Sequence, residues 1–542
     1  MSVCSLIIAI VQATACTAWG GTIDPALAEV VRSASADQEF AVIVRLKDNV
    51  DHGALAASVA GTGRHAKLTA VIGSLRDKAE HSQENLKQLL AKKELGGKVR
   101  GTKAFWIFNG FALTATADTV RELGERDDVA LVAPDRVVTL SSSAPVVAAT
   151  FSPTWNITKI GAPTLWSNGF RGQGVVVASL DSGVDVSHPA LKLKWRGGTN
   201  SWFDPYNNTT VPYDKAGQDS GHGTQVMGVM VAGNTSDNQV GVAPGASWIA
   251  AKIFDDNGNA SLSSIHAAFQ WVLNPDGNPA SHDAPDVVNN SWDLGNPGRY
   301  DSEFALDIQA LKTAGIVVVC SSGNYGLPFA SQTNTSVSPA NNPGAFAVGA
   351  TDTNDLIAYF SSRGPSAFDG TSNFPALVAP GVNIRTTDLN GTYSMFTNLG
   401  TSFSAPHVAG AIALLLSGRP TSLTGNPAAI ENALLTSALD LGVSGPDNTY
   451  GYGRLDVAKA ANQLALLPPP GPSGDVNGDG VVDIKDALIV LQAAVGLIPV
   501  TPAIMQQGDV APVINGIPNP DARIDVIDAL EVLRKAVGMI SF

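Results

Sequence analysis

Between residues 155 and 465 the chain repeatedly sets a short apolar run ahead of a helix-like stretch. The runs are Val175 to Leu180, Trp248 to Ile253, Val287-Val288, Ile316 to Val319 and Ala345 to Val348. Such a run has no polar face, so as a strand it must be covered on both sides. Helices between successive strands supply the cover, because parallel neighbours need a crossover. The pattern predicts an α/β domain built on a doubly wound, mostly parallel sheet.

Other blocks flank this domain, and the 542 residues are enough for three or four domains. Residues 39–140 hold a strand at Phe40 to Leu46, a Lys/Glu-rich helical stretch over 64–95 and strands from Phe105 to Thr116, broken at Asn109-Gly110. A helix from Asp118, its expected cap, to Arg126 and a strand at Val129 to Val132 complete the block. This alternation predicts a small α+β domain. Residues 141–154 read as an exposed connector. Pro468 to Pro472, within residues 466–474, reads as a stiff, extended linker, and 475–542 as a separate small module.

Residues 1–18 read as a signal peptide. Val3 to Ala18 are apolar, with small residues at Ala13, Ala15 and Ala18, although no Lys or Arg precedes them. Secretion is therefore expected. Lys and Arg number 34 against 48 Asp and Glu, a net charge of −14, which argues against a protein that reads nucleic-acid backbones. No later run is long enough to span a membrane. With residues 1–18 removed, Cys320 alone remains. That leaves no internal disulfide and no zinc cluster of cysteines, and Cys320 reads as a buried strand residue.

Three segments carry candidate chemistry. Asp181-Ser182-Gly183 follows an apolar strand, at the end where parallel sheets place their sites. Gly221-His222-Gly223-Thr224 opens an apolar helix. Gly400-Thr401-Ser402-Phe403-Ser404-Ala405-Pro406-His407 sets a serine where a loop enters another. Each alone is ordinary: a turn Asp, a packed His, an N-cap Ser. Together, an Asp that orients a His that deprotonates a Ser is the triad of acyl transfer.

In that order, the three segments resemble the signatures of the subtilases, the subtilisin-like serine proteases. The resemblance covers residues 155–465 and implies Ser402 as nucleophile, His222 as general base and Asp181 as the orienting carboxylate. Val317 to Asn324 resembles the oxyanion segment, with Asn324 donating beside the Ser402 N–H. Asn289 to Gly295 resembles the substrate-binding segment, with Ser291, Trp292 and Gly295 as wall residues. Trp292 and Tyr325 would rim the cleft with aromatic rings. Gln225 stands where the family commonly has a second His. Ala190 and the short 233–239 loop argue against the strong calcium site of bacterial subtilisins. Residues 39–140 resemble the family's inhibitor-like propeptide, which implies an intramolecular inhibitor and self-cleavage between about residues 140 and 153.

The C-terminal module carries a loop of calcium-binding spacing. Asp475, Asn477, Asp479, Val481, Asp483 and Asp486 occupy positions 1, 3, 5, 7, 9 and 12 of the loop, with Gly480 at the sharp turn. A helix from Ala487 to Gly496 follows. Asp479, Asp483 and Asp486 recur 42 residues later as Asp521, Asp525 and Asp528. Gly474-Asp475-Val476 recurs as Gly508-Asp509-Val510 only 34 later. The duplicated loop and helix resemble a dockerin type I module. That implies bound Ca2+ in the first loop, a second, degraded site at Asp509, Asp521, Asp525 and Asp528, and a cohesin-like partner. A stand-alone calcium-stabilised tail is the other reading.

The combined expectation is a secreted serine endopeptidase acting on proteins or peptides, made as a self-processed zymogen, with no catalytic metal or organic cofactor. The alternatives are an inactive subtilase scaffold acting as a dockerin-borne binding protein, and an esterase on the same scaffold.

Overall fold

The computed structural model describes residues 22–140, 155–233, 240–326, 334–396, 400–467, 473–479, 481–514 and 516–542. The signal and connector segments, the 234–239 loop and Gly480 lie outside the described residues. The chain forms two compact units, Met1–Ala460 and Ala461–Phe542.

The first unit opens with a five-stranded sheet. Its elements are β1 (Thr22–Ile23), α1 (Pro25–Ser33), β2 (Glu39–Leu46), α2 (His52–Ser58), α3 (Arg64–Leu95), β3 (Val99–Phe105), β4 (Gly110–Thr116), α4 (Ala117–Gly124) and β5 (Val129–Pro134). The strand order is β1-β5-β2-β4-β3. β1 and α1 lie outside the 39–140 span yet belong here: β1 pairs with β5, and Leu27 and Val31 enter the same core as Val42, Val44 and Phe111. The α4 helix starts one residue earlier than expected. Its N-cap is Thr116, and Asp118 sits in the first turn instead. A carboxylate there still faces the positive end of the helix dipole.

The short strand β6 (Val137–Thr139) leads out of this domain. Beyond it, α5 (Trp155–Lys159) and α6 (Ala162–Ser167) precede the larger sheet. Its strands are β7 (Val176–Asp181), β8 (Trp202–Phe203), β9 (Ser247–Lys252), β11 (Val287–Asn290), β12 (Val317–Ser321), β13 (Ala345–Thr351) and β14 (Leu377–Pro380). The order is β14-β13-β12-β11-β7-β9-β8, and every pairing is parallel. The doubly covered sheet is thus as expected, with β8 and β14 added at its edges. Val317, Val318 and Val319 are all fully buried. At about 1.5–3 kcal/mol per buried valine, that stretch favours an interior strand strongly.

Between the strands run α7 (Pro189–Lys192), α8 (His222–Val231), α9 (Leu262–Leu273) and α10 (Ala305–Thr313). The edge strand β10 (Asn259–Ser261) precedes α9, and the β15 (Ile384–Thr387) and β16 (Tyr393–Phe396) hairpin precedes α11 (Thr401–Leu415). All fifteen residues of α11 are buried, packed on α8 and across β11, β12 and β13. The small domain docks on α9 and α10. Leu68, Val71, Ile72, Phe105 and Phe108 share one core with Phe269, Phe304 and Ile308.

The first unit continues through α12 (Pro427–Ser437) to Ala460, within α13 (Val457–Gln463). In the second unit, α14 (Ile484–Ala494) and α16 (Val526–Ala536) pack together beside α15 (Pro502–Gly508). Val490, Val510 and Val532 form their core.

Candidate active site

Three neighbouring strands of the large sheet deliver the site. Asp181 ends β7, Ser291 follows β11, and Asn324 follows β12. Asp181 Oδ1 lies 2.7 Å from His222 Nδ1, and both side chains are buried. The imidazole therefore donates from Nδ1 and leaves Nε2 as the acceptor. Burial pulls the His222 pKa down. The charge and hydrogen bond of Asp181, with Asp214 and Asp219 further off, outweigh it and hold the imidazole above its ordinary value. Close approach of the two loops requires Gly223: a Cβ there would stand 2.1 Å from the Gly183 carbonyl oxygen and 3.1 Å from Asp181 Cβ.

Ser402 is the second residue of α11, where the first-turn amides have no intrahelical acceptor. Its Oγ donates to the Ser291 carbonyl at 3.1 Å, not to His222. Catalytic hydrogen bonds of this kind often tighten only with substrate. In return, Ser291 Oγ donates to the Ser402 carbonyl at 2.8 Å. Pro406 makes this exchange feasible. It lies four residues on, has no N–H, and so leaves the Ser402 carbonyl open for Ser291. His407 is held neutral next door: burial takes its pKa down to about 4, while its ring nitrogens meet the Phe403 carbonyl and the Asn156 amide, each at 2.7 Å.

Asn324 Oδ1 accepts from Thr401 N at 2.9 Å and Thr401 Oγ1 at 3.1 Å. Its amide orientation is thereby set, with Nδ2 as the donor left over. Gly400 gives it room, since a Cβ at that position would lie 2.6 Å from Nδ2.

One cleft of about 210 Å³ gathers Ser402, Asn324, Ser291, Trp292, Gly295 and Tyr325. Trp292 lines this cleft at 3% exposure, with the chain's own tail in place, and its ring also packs on Phe269 and Phe304. Tyr325 reaches the cleft as well, and its hydroxyl donates to Asp293 Oδ1 at 2.8 Å. Asp293 was missed in the sequence; no spacing signal marks it. Cys320 is fully buried, and burial pushes its thiol pKa up, away from reactivity.

The chain's own residues 136–140 line the same cleft. β6 pairs antiparallel with β10, Asn259 facing Thr139 and Ser261 facing Val137. Leu140 N donates to the Gly258 carbonyl at 2.9 Å, and Leu262 N to the Arg136 carbonyl at 3.0 Å. Just upstream, the Asp135 carboxylate accepts from Ser263 N at 2.9 Å and Ser263 Oγ at 2.6 Å, at the positive end of α9. Arg45 pairs with Glu303, and Arg64 Nη2 donates to the Ala284 and Pro285 carbonyls, both at 2.7 Å.

Behind this contact, buried His266 lies 3.0 Å from both Asp307 Oδ1 and Glu303 Oε1. Burial opposes charging it, yet the two carboxylates raise its pKa to about 9 and His266 with Arg45 lowers that of Glu303 to about 2.

In the C-terminal unit, Asp486 Oδ1 accepts from Val476 N and Asn477 N at 3.0 and 3.1 Å, and Oδ2 from Asp483 N at 2.9 Å. Asp528 repeats this with Val510, Ala511 and Asp525. Asp475 Oδ1 accepts from Gly478 N, Asp479 Oδ1 from Val481 N, and Asp509 Oδ1 from Asp521 N. Among the described residues, no three acidic or histidine side chains converge as a metal cage.

One cleft holds a helix-start serine and an amide donor, and a buried His–Asp pair ends a neighbouring strand of the same sheet; these are the parts a serine-type peptidase site is built from. Comparison with known proteins agrees. Residues 172–453 match the subtilase family, and residues 41–141 match peptidase inhibitor I9. Bacillopeptidase F of Bacillus subtilis (strain 168) is 35% identical over 427 residues, covering 74% of this chain and 29% of that protein. Subtilisin E of the same strain is 35% identical over 392 residues, covering 72% and 90%. Subtilisin of Bacillus pumilus is 37% identical over 310 residues, covering 57% and 99%. The chain belongs to the subtilase family of serine-type endopeptidases, and carries an I9 inhibitor domain ahead of the catalytic one.

Proposed function

We propose that the protein is a secreted serine endopeptidase, synthesised as a zymogen that cleaves itself between residues 140 and 153. The observation that carries this reading is the Asp181–His222 pair beside a cleft holding Ser402, Asn324 and the chain's own tail strand. A peptide substrate replaces that tail, adding a strand to β10 on one side and running past Ser291 to Gly295 on the other.

His222 Nε2 takes the Ser402 Oγ proton as Oγ attacks the substrate carbonyl carbon. Asn324 Nδ2 and the Ser402 N–H receive the developing oxyanion. His222 then gives the proton to the leaving amine, the C–N bond breaks, and the acyl group stays on Ser402. Water, deprotonated by the same imidazole, releases the acid and restores the serine. Asp181 holds the ring in the correct tautomer and steadies the imidazolium.

Labelling with a fluorophosphonate tests the reading, comparing the native chain with Ser402→Ala. Labelling of the native protein alone, on a band whose N-terminus falls within 141–153, is expected. A folded, processed chain that resists the label would sink the protease assignment and favour the binding scaffold.

For the C-terminal module we propose a calcium role. The donors are all oxygen, as a hard cation requires, and Asp475, Asn477, Asp479, Val481 (through its carbonyl), Asp483 and Asp486 would hold it. Asp509, Asp521, Asp525 and Asp528 would form the weaker second loop. A bound ion would have to draw together carboxylates that do not converge among the described residues, and would supply charge neutralisation to the loops, not hydrolytic chemistry. A calorimetric titration of the full chain, against Asp479→Ala with Asp483→Ala, checks this. A cohesin-like domain is the partner that such a module would take.

A further inference from the structure

The loop between β8 and α8 carries a buried carboxylate that none of the three motifs contains. Asp214 Oδ1 accepts from Ser182 Oγ at 2.8 Å and Gly221 N at 3.0 Å. Its Oδ2 accepts from Thr224 N at 2.8 Å and Thr224 Oγ1 at 2.6 Å. Ser182 directly follows Asp181, and Gly221 directly precedes His222. Each hydroxyl is already an acceptor: Ser182 Oγ takes Gly223 N and Thr224 Oγ1 takes Asp185 N, both at 2.8 Å. Their protons therefore go to Asp214, which acts as a four-fold acceptor and hence as a carboxylate. Gly183 also pairs with Asp214 as an isolated antiparallel bridge.

We propose that Asp214 is a positioning residue for the proton relay, clamping the loop that follows Asp181 to the turn that presents His222. This rests on the triad reading above. A buried acceptor with four donors is expensive to disturb, so it ties together two loops that are 41 residues apart in the chain. Burial pushes the Asp214 pKa up, while the hydrogen bonds from Thr224, Gly221 and Ser182 favour the carboxylate that the four donors require, and its negative charge has a second effect. Asp214 adds to Asp181 and Asp219 in favouring the charged imidazole, against the burial that disfavours it. Lys252, buried with Nζ 3.0 Å from the Ser182 carbonyl, is the opposing cation, and Asp256 lies 3.5 Å from that ammonium.

The test is Asp214→Asn in the full chain, with wild type and Ser402→Ala as the activity references. The amide keeps the shape but turns an NH2 toward N–H and O–H donors, and removes the charge. Expected are a kcat at least about 30-fold lower with KM within about two-fold, as for a misplaced relay with intact binding. The acid limb of kcat/KM should move to lower pH, because His222 loses a stabilising charge. A folded Asp214→Asn protein with wild-type kcat and an unmoved limb overturns the proposal.

If that variant does not fold or process, Ser182→Ala decides. It deletes one clamp hydroxyl and keeps the charge, so kcat should fall about five-fold or more with the limb in place. Unchanged kcat in Ser182→Ala then overturns it. A wild-type chain without hydrolysis or label would instead defeat the protease reading itself.

Discussion

Replacing Gly400 by alanine probes the proposed oxyanion donor, Asn324, without substituting it. Gly400 has φ −80° and ψ 166°, an extended conformation that alanine adopts freely. The backbone itself therefore resists nothing. The new methyl would meet Asn324 Nδ2 at 2.6 Å, Oδ1 at 3.1 Å and Cγ at 3.2 Å. Ordinary carbon contacts begin near 3.5 Å, so the amide must retreat by about 0.9 Å or swing away. Swinging away breaks both bonds to Thr401, at about 1 kcal/mol each. Either route takes Nδ2 off the oxyanion. Loss of one such donor costs about 10²–10³ in kcat, a magnitude set by subtilisin itself. We expect Gly400→Ala to lower kcat about 100-fold, leave KM within about three-fold, and cost about 2 kcal/mol or less in stability. A chromogenic peptide assay with a thermal melt reads all three. Wild-type kcat in a folded Gly400→Ala protein would refute the assigned role of Asn324.

Pro406→Ala restores an N–H that competes with Ser291 for the Ser402 carbonyl; a Tm unchanged or raised, with kcat lowered several-fold, is expected from melts and rate assays. Asp135→Ala removes the propeptide's hold on the first turn of α9, worth about 1 kcal/mol, so added propeptide should inhibit about five-fold more weakly. His266 titrates near pH 9 when folded and near 6.5 when unfolded, so its contribution is complete below about pH 6.5 and lost as pH rises through about 9. The precursor's Tm should fall over that window, and less so in His266→Gln; parallel profiles would remove His266 as the cause.

The members of the proposed relay stand out in the sequence because each sits in a short motif at an element boundary, where strand end and helix start are visible as pattern. Asp214 was not, because the long β8–α8 loop has no periodicity to say which of its carboxylates turns inward. Trp292 shows a related gap: the motif places it at the cleft, but does not reveal that its ring also packs on Phe269 and Phe304, which belong to other elements. The central strands were readable as unbroken apolar runs. β8 has two residues and β14 ends at Pro380, too little for either to stand out. β1 and α1 fall between the expected signal segment and the first clear strand, and only tertiary pairing with β5 claims them.

The tail on β10 is gripped through main-chain amides and carbonyls, which every polypeptide carries alike. An enzyme that engages its targets in this way reads conformation before it reads sequence. A target must lend several consecutive residues whose own backbone groups are unspent, and a compact domain lends them only while a segment is locally open. Susceptibility then follows the free energy of that opening: each 1.4 kcal/mol of local stability slows attack about ten-fold, whatever side chains flank the bond.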